Sequence, residues 1–335
     1  MKRVRATLAE VAAFPNLLQA VQRASSGKRF RPDVLRFNAT REERIHALSV
    51  ALGTGSWTSS PHRHFHIRDP KPRWISAAPF ADRVVHHAVC NVIGPPLERR
   101  LIDDCWANRA GFGSHRAVLR FQQFAGRHGW VLKADIRKYF ASVDRSILLA
   151  QLTRLLKDPL LLALLERIIR SAAQPDPDIR RASDGSGGAH GLPIGNLTSQ
   201  LWANTYLDDF DHWVRESLRC GAYLRFVDDF ALFSDDPDQL RCWRQAIAVR
   251  LGQLNLSLHE RKTVVRRTGE GTPFLGYVIW PTRIRVRGSS LRRFRRQSRR
   301  VEAERRAARS VAWRGHTALA GDWRRRRLSQ RTHHA

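Results

Sequence analysis

Ala222-Tyr223-Leu224-Arg225-Phe226-Val227-Asp228-Asp229-Phe230-Ala231-Leu232-Phe233-Ser234 is the stretch on which the reading of this chain turns. Two short β-favouring runs flank an adjacent pair of carboxylates, the pattern of a hairpin with acids at its turn. Burying two neighbouring carboxylates is very costly unless cations compensate them. The dipeptide alone says little, because Asp103-Asp104, Asp208-Asp209 and Asp235-Asp236 repeat it. Only Asp228-Asp229 stands between two apolar strand-like runs. A third acid, Asp135, closes another apolar run at 130–134 that reads as a strand. If the two strands are neighbours, three carboxylates converge, a set of hard oxygen donors suited to two Mg2+ ions. The structural alternative is that these acids cap turns and pair with arginine.

Working outward, apolar spacing predicts helices over 79–93, 113–125, 146–156, 160–172, 197–219 and 237–254. A strand pair is expected at 272–280 with 284–287, and a Pro/Gly/Ser-rich connection at 174–191. An N-terminal helical pattern runs through Leu8, Val11, Ala12, Leu17, Leu18 and Val21. Helices and strands mix without a strict βαβ repeat, so the expected class is α+β. The alternating His62, His64 and His66 lie beside arginines in a stretch without carboxylates, which suits surface or nucleic-acid contacts better than a metal site.

The 335 residues carry 59 Lys+Arg against 30 Asp+Glu, a formal net charge of +29. Fifty-two of the basic residues are arginine, whose planar fork pairs bidentately with phosphate and stacks on bases. A polyanionic partner is expected. The charge concentrates in residues 281–335, with 18 arginines and three acids. Leu291, Phe294, Val301, Val311, Trp313, Leu319 and Trp323 are interleaved there, so a basic helical element with a packing face is expected rather than a plain tail. Four cysteines form no CxxC pair, and the longest apolar run, 159–165, is far short of the roughly 18 residues a membrane span needs. A cytoplasmic protein without a membrane partner is expected.

At this point the sequence resembles the reverse transcriptases. Lys133-Ala-Asp135-Ile136-Arg-Lys-Tyr-Phe140-Ala-Ser-Val-Asp144 is similar to their motif A, Gly191-Leu-Pro-Ile194-Gly195-Asn-Leu-Thr-Ser199-Gln200 to motif B, and Arg225-Phe-Val-Asp228-Asp229 to the YxDD of motif C, with Phe226 in place of tyrosine. His259-Glu-Arg-Lys262-Thr resembles motif D, and Phe274-Leu-Gly276-Tyr-Val the primer grip of motif E. Upstream, Lys71-Pro-Arg73 with Asp82-Arg83, and Asn108-Arg109-Ala-Gly-Phe-Gly, resemble the finger motifs. The similarity spans about 70–280, in the family's order.

The resemblance implies a right-hand polymerase with fingers, an antiparallel palm with helices, and a short helical basic thumb. Residues 1–125 would form an N-terminal extension and fingers with part of the palm. Residues 126–280 would form the palm, with a fingers insertion near 150–190, and 281–335 the thumb. It further implies that Asp135, Asp228 and Asp229, with the Ile136 carbonyl, hold two Mg2+ ions. Lys71, Arg73, Phe140, Ile194, Gly195 and Lys262 would bind the incoming dNTP, Phe140 as a steric gate against a ribose 2′ hydroxyl. Asn108, Arg109, Ser199, Gln200, Phe274 and Gly276 would contact template or primer. The partners implied are template RNA, the RNA/DNA hybrid and dNTPs.

Motif B narrows the resemblance. Its IGNLTSQ wording is similar to that of diversity-generating retroelement reverse transcriptases, where most of the family carries QGxxxSP. An apolar Ile194 cannot make the hydrogen bonds of a glutamine, so base selection would loosen, and cDNA mutagenised at template adenines is expected. That class also implies an accessory variability-determinant oligomer. The 55 residues after Trp280 are too few for a maturase region plus an HNH endonuclease, and no retron-type VTG motif is present. The alternatives are a retron-like or group II intron-derived enzyme, and a catalytically inactive RNA-binding scaffold.

Overall fold

The computed structural model describes residues 3–68, 72–171, 190–298 and 303–320, with side chains in the last stretch from Ser310 onward. Lys71 and most of the connection expected at 174–191 lie outside the described residues. From the N-terminus come α1 (Leu8–Ala12), α2 (Phe14–Ser25), α3 (Pro32–Ala39), α4 (Arg41–Gly53), β1 (Arg63–Ile67), β2 (Arg73–Ala77) and α5 (Phe80–Glu98). Next are α6 (Ser114–Ala125), β3 (Trp130–Asp135), α7 (Tyr139–Ser142), α8 (Arg145–Leu155), α9 (Pro159–Ser171), α10 (Leu197–Tyr206) and α11 (Asp208–Glu216). The described chain finishes with β4 (Tyr223–Phe226), β5 (Asp229–Ser234), α12 (Pro237–Gly252), β6 (Val264–Arg267), β7 (Thr272–Phe274), β8 (Tyr277–Ile279), β9 (Ile284–Val286), α13 (Gly288–Ser298) and α14 (Ala303–His316).

The chain folds into two compact units. One comprises Met1–Ile102, Arg137–His212 and Arg250–Ser257, the other Asp103–Ile136, Trp213–Val249 and Leu258–Ala335. The boundaries expected at 125 and 280 coincide with neither.

In the first unit α5 is the spine. It buries Val84, Val85, Ala88, Val89, Ile93 and Leu97 at helical spacing, and α2 and α10 pack against it. The N-terminal pattern, continuous in sequence, forms two helices because Ala13 is extended and Pro15 enters the first turn of α2. Thr7 and Glu10 make a reciprocal capping box on α1. The helix expected over 197–219 is likewise broken, at Leu207, whose φ of −101° and ψ of 5° leave the helical region. Asp144, the last residue of the motif A segment, caps α8 through the Ser146 and Ile147 amides at 2.8 and 3.1 Å, an arrangement worth about 1 kcal/mol. β1 pairs antiparallel with the half-buried β2 and, being largely exposed itself, carries His64 and His66 on its surface.

The second unit holds a four-stranded antiparallel sheet in the order β4-β5-β3-β6. Its register sets Val131 opposite Phe233, Lys133 opposite Ala231 and Asp135 opposite Asp229. Because side chains alternate with period two, these six share one face. Toward one end of it Val131 and Phe233 pack on Phe121 and Phe124 of α6, with the Phe121 and Phe233 rings 4.9 Å apart. At the other end the same face presents the two carboxylates. The span 272–280, expected as one strand of a pair, is two strands, since Leu275 (φ 47°) and Gly276 (φ 88°) make a tight turn between β7 and β8. Among the described residues of the basic end α13 and α14 are helical, as expected, and Phe294 of α13 stacks on Trp313 of α14 at 4.4 Å and 12°, while Val301 and Trp323 lie outside the described residues.

Candidate active site

The β4–β5 turn consists of Val227 and Asp228, and Asp229 opens β5. Antiparallel pairing sets Asp229 against Asp135, and the Ile136 amide donates to the Asp228 carbonyl at 2.9 Å. Three carboxylates therefore gather where two strands meet, as expected from the sequence. Burial raises the Asp228 carboxyl above the usual carboxylate range, and the neighbouring Asp135 charge raises it further. Burial pushes Asp229 up to about 6, with Lys133 pulling it down and Asp228 and Asp135 opposing that pull.

The charges that compensate this cluster are two lysines. Lys133 Nζ lies against Asp229 Oδ1, and Lys262 Nζ lies 2.7 Å from Asp135 Oδ1. Lys262 was expected to bind the incoming dNTP. Lys133 carries no role in the sequence reading, although its position two residues before Asp135 puts it on the carboxylate face and diagonal to Asp229. Asp135 and Asp229 are thus paired, with lysine rather than arginine.

In the other three acidic pairs Asp103 is exposed and the remaining five carboxylates are held by structural partners. Asp104 is buried and held by Arg120 at 2.8 Å. Asp208 lies 3.4 Å from Arg100, and Asp209 lies 2.8 Å from Arg154. Asp235 accepts the Gly129 amide at 2.7 Å, and Asp236 that of Asp238 at 2.8 Å.

Among the described residues no group of three His, Cys, Asp or Glu side chains stands ready-made for a metal ion. The donor chemistry at the strand ends nevertheless fits a hard divalent cation. Asp135, Asp228 and Asp229 supply only carboxylate oxygens, and burial, followed by the charges of their carboxylate neighbours, raises the Asp228 and Asp229 carboxyls.

Asn108, Arg109, Phe274 and Gly276 share this unit. Asn108 is exposed in a left-handed conformation (φ 55°). Arg109 stacks its guanidinium on Phe112 at 3.9 Å and donates to the Cys105 carbonyl at 2.9 Å. Phe274 is 2 % exposed and stacked on Phe121 at 4.9 Å, so its ring belongs to the hydrophobic core and offers no surface to template or primer. The apolar ring thus anchors β7 against α6. Gly276 adopts φ 88°, where a side chain is strained, and a Cβ there would stand a tight 3.1 Å from the His316 imidazole.

Arg73, Phe140, Ile194, Gly195, Ser199 and Gln200 belong to the first unit. Motif B is pinned to β2 by the Ser76 amide on the Ile194 carbonyl at 2.9 Å and by the Ala78 amide on Asn196 Oδ1 at 3.3 Å. Gly195 adopts φ 122°, and a Cβ there would meet Ile75 Cγ2 at 3.0 Å, which is why glycine stands at that position. The motif A and B segments also touch, the Leu192 amide donating to the Phe140 carbonyl at 2.7 Å. Phe140 and Ile194 are half-buried, Arg73 and Gln200 exposed, and Ser199 buried.

The central antiparallel strands of the sheet bring adjacent carboxylates together, a set of hard oxygen donors suited to divalent cations. Comparison with known proteins gives the family: residues 67–279 match the family Reverse transcriptase (RNA-dependent DNA polymerase), and the chain belongs to that family. It is similar to Protein YkfC of Escherichia coli, 24% identical over 273 residues that cover 70% of each chain. It is also similar to the putative COX1/OXI3 intron 1 protein of Saccharomyces cerevisiae, 20% identical over 224 residues. Group II intron-encoded protein LtrA of Lactococcus lactis is 23% identical over 176 residues. The alignments cover 65% of this chain but a quarter of the yeast protein, and 52% of this chain but 28% of LtrA. The fold is similar to that of apo telomerase from Candida tropicalis truncated from its C-terminal domain, at a TM-score of 0.52 and 12% identity over 68% of this chain and 56% of that one. Telomerase from Candida albicans gives a TM-score of 0.50 at 12% identity, over 70% and 47%.

Proposed function

We propose that the protein is an RNA-directed DNA polymerase that extends a primer by in-line attack of its 3′ hydroxyl on the α-phosphate of a dNTP. The observation that carries this reading is the Asp135, Asp228 and Asp229 cluster on the β3 and β5 strand ends. Asp135 and Asp228, supported by Asp229 and the Ile136 carbonyl, would hold two Mg2+ ions. Those ions, when bound, supply activation of the hydroxyl and neutralisation of the triphosphate. Lys262 holds a positive charge at Asp135, within reach of a group that must be neutralised as pyrophosphate leaves. Phe140 presents a bulky ring suited to excluding a 2′ hydroxyl, and Arg73 an exposed guanidinium suited to phosphate. The arginine-rich segment 281–335 is the thumb of this reading and grips template and primer phosphates, with 1–125 and 126–280 as fingers and palm.

Within that function the motif B wording favours the diversity-generating class, which copies a template-repeat RNA into cDNA with errors at adenines and works with an accessory oligomer. Ile194 supports it by lending no hydrogen bond from its side chain where a glutamine would. The intron-encoded proteins among the relatives favour a second reading, a group II intron-derived polymerase. Sequencing the cDNA made on a defined RNA separates the two. Errors concentrated opposite template adenines and reduced by Ile194→Gln support the first. Accurate cDNA, unchanged by Ile194→Gln, supports the second.

A further inference from the structure

Arg225 lies in the catalytic hairpin, and the site described so far does not use it. It is 0 % exposed, and a buried guanidinium costs several kcal/mol unless its donors are well placed. Nη1 donates to the Val227 carbonyl at 3.0 Å and Nη2 to Cys105 Sγ at 3.3 Å. The backbone of Arg225 is clamped as well, its amide donating to the Asp104 carbonyl and its carbonyl accepting from the Trp106 amide, each at 2.9 Å. Asp104 is itself fixed by Arg120. The guanidinium therefore stands on a rigid base along the outer edge of the sheet, where β4 is the terminal strand.

What it holds is a strained residue. Val227 has φ 60°, a left-handed conformation that its branched Cβ resists. The next residue is Asp228. One peptide flanking the Asp228 Cα is tied by Arg225 at the Val227 carbonyl, and the other by the Ile136 amide at the Asp228 carbonyl. A lysine cannot replace this grip, because its ammonium lacks the planar fork that spans two acceptors.

We infer that Arg225 is a positioning residue that locks the strained Val227–Asp228 peptide and so aims the Asp228 carboxylate. The inference rests on the reading of Asp228 as a carboxylate that holds a divalent cation.

The test is a cycle of Arg225→Lys, Val227→Gly and the double variant in the full-length protein. Mn2+ affinity is titrated by electron paramagnetic resonance without nucleic acid, beside the thermal midpoint. Arg225→Lys is expected to weaken Mn2+ binding about tenfold or more, the range for residues that orient a metal ligand. In the Val227→Gly background the same change should cost less than about threefold, because glycine takes a positive φ without strain. Equal losses in both backgrounds, or a lowered midpoint with unchanged Mn2+ affinity, would overturn the inference and leave Arg225 a structural residue. If Arg225→Lys does not fold, Cys105→Ala, which removes the second acceptor of the fork, should still weaken Mn2+ binding severalfold; unchanged binding overturns the inference. Asp228→Asn in the otherwise native chain separates the two claims, since Mn2+ binding that survives it sinks the reading of the site itself.

Discussion

Asp135 and Asp229 stand opposite each other in the register of β3 and β5, and each carries its own lysine, Lys262 and Lys133. Asp228 between them has no ion pair of its own among the described residues, and burial and Asp135 both raise its carboxyl. The sign of its contribution follows. A carboxyl whose folded pKa lies above its unfolded value destabilises the folded state at neutral pH, and the penalty fades as pH falls toward the unfolded value near 3.8. Asp228→Asn is therefore expected to raise the thermal midpoint at pH 7.5 by a few degrees, on the scale of about 2–4 °C per kcal/mol for a chain this size or somewhat smaller. The gain should shrink toward pH 4, while polymerase activity is lost. Differential scanning calorimetry at the two pH values checks this, and a lower midpoint at pH 7.5 counts against such a penalty.

Removing Lys133 should do the reverse. Lys133→Met leaves Asp229 partly buried without its cation, and breaking such a pair costs about 3–5 kcal/mol when the remaining charge is sealed from water. Asp229 keeps 20% side-chain exposure, so the loss is expected at or below the low end of that range. Urea unfolding at pH 7.5 and pH 5 reads it, and the deficit should narrow at pH 5 as the Asp229 carboxyl takes up a proton.

The first unit has its own pH signature. His86 is 2 % exposed, burial pushes its pKa down to about 3, and His62 and His87 lower it further. Its folded value lies below that of the unfolded chain, so the unfolded state gains protons that the folded state refuses as pH falls below 6.5. The expected cost is about 1.4 kcal/mol for each pH unit below that point. His86→Leu should flatten the dependence of the denaturation midpoint between pH 6.5 and 4.5, and an unchanged slope would show that His86 does not set it.

Gly195→Ala tests the seat of motif B. A side chain at φ 122° is strained and its Cβ would press on Ile75, displacing the Ile194 carbonyl from the Ser76 amide. A strain of about 1–3 kcal/mol is expected. It should emerge as a thermal midpoint lowered by a few degrees together with a several-fold rise in KM for dNTP, measured by single-nucleotide primer extension.

The catalytic hairpin is legible in sequence because period-two apolar runs around Asp228-Asp229 admit one arrangement, and the run ending at Asp135 supplies its neighbour. Only the structure explains why the other acidic pairs differ, since Arg120, Arg100 and Arg154 are distant in sequence from the acids they hold. Lys133 is hidden for a related reason. Its value depends on the cross-strand register with Ala231 and Asp229, which no local pattern states. Backbone breaks were the other blind spot. The Leu207 interruption and the Leu275-Gly276 turn fall inside apolar runs where periodicity is unbroken, so 197–219 and 272–280 each read as one element and form two. Phe274 carries the motif resemblance but packs on Phe121, because an aromatic beside a tight turn is most cheaply buried.

The most direct measurement of the central claim is primer extension on a defined RNA with Mg2+ and the four dNTPs, comparing the native chain with Asp135→Asn and Asp228→Asn. The account predicts DNA product from the native chain and a loss of at least about a thousandfold in each variant, since a two-ion centre is dismantled by removing either carboxylate. Product that persists undiminished in both variants would contradict it.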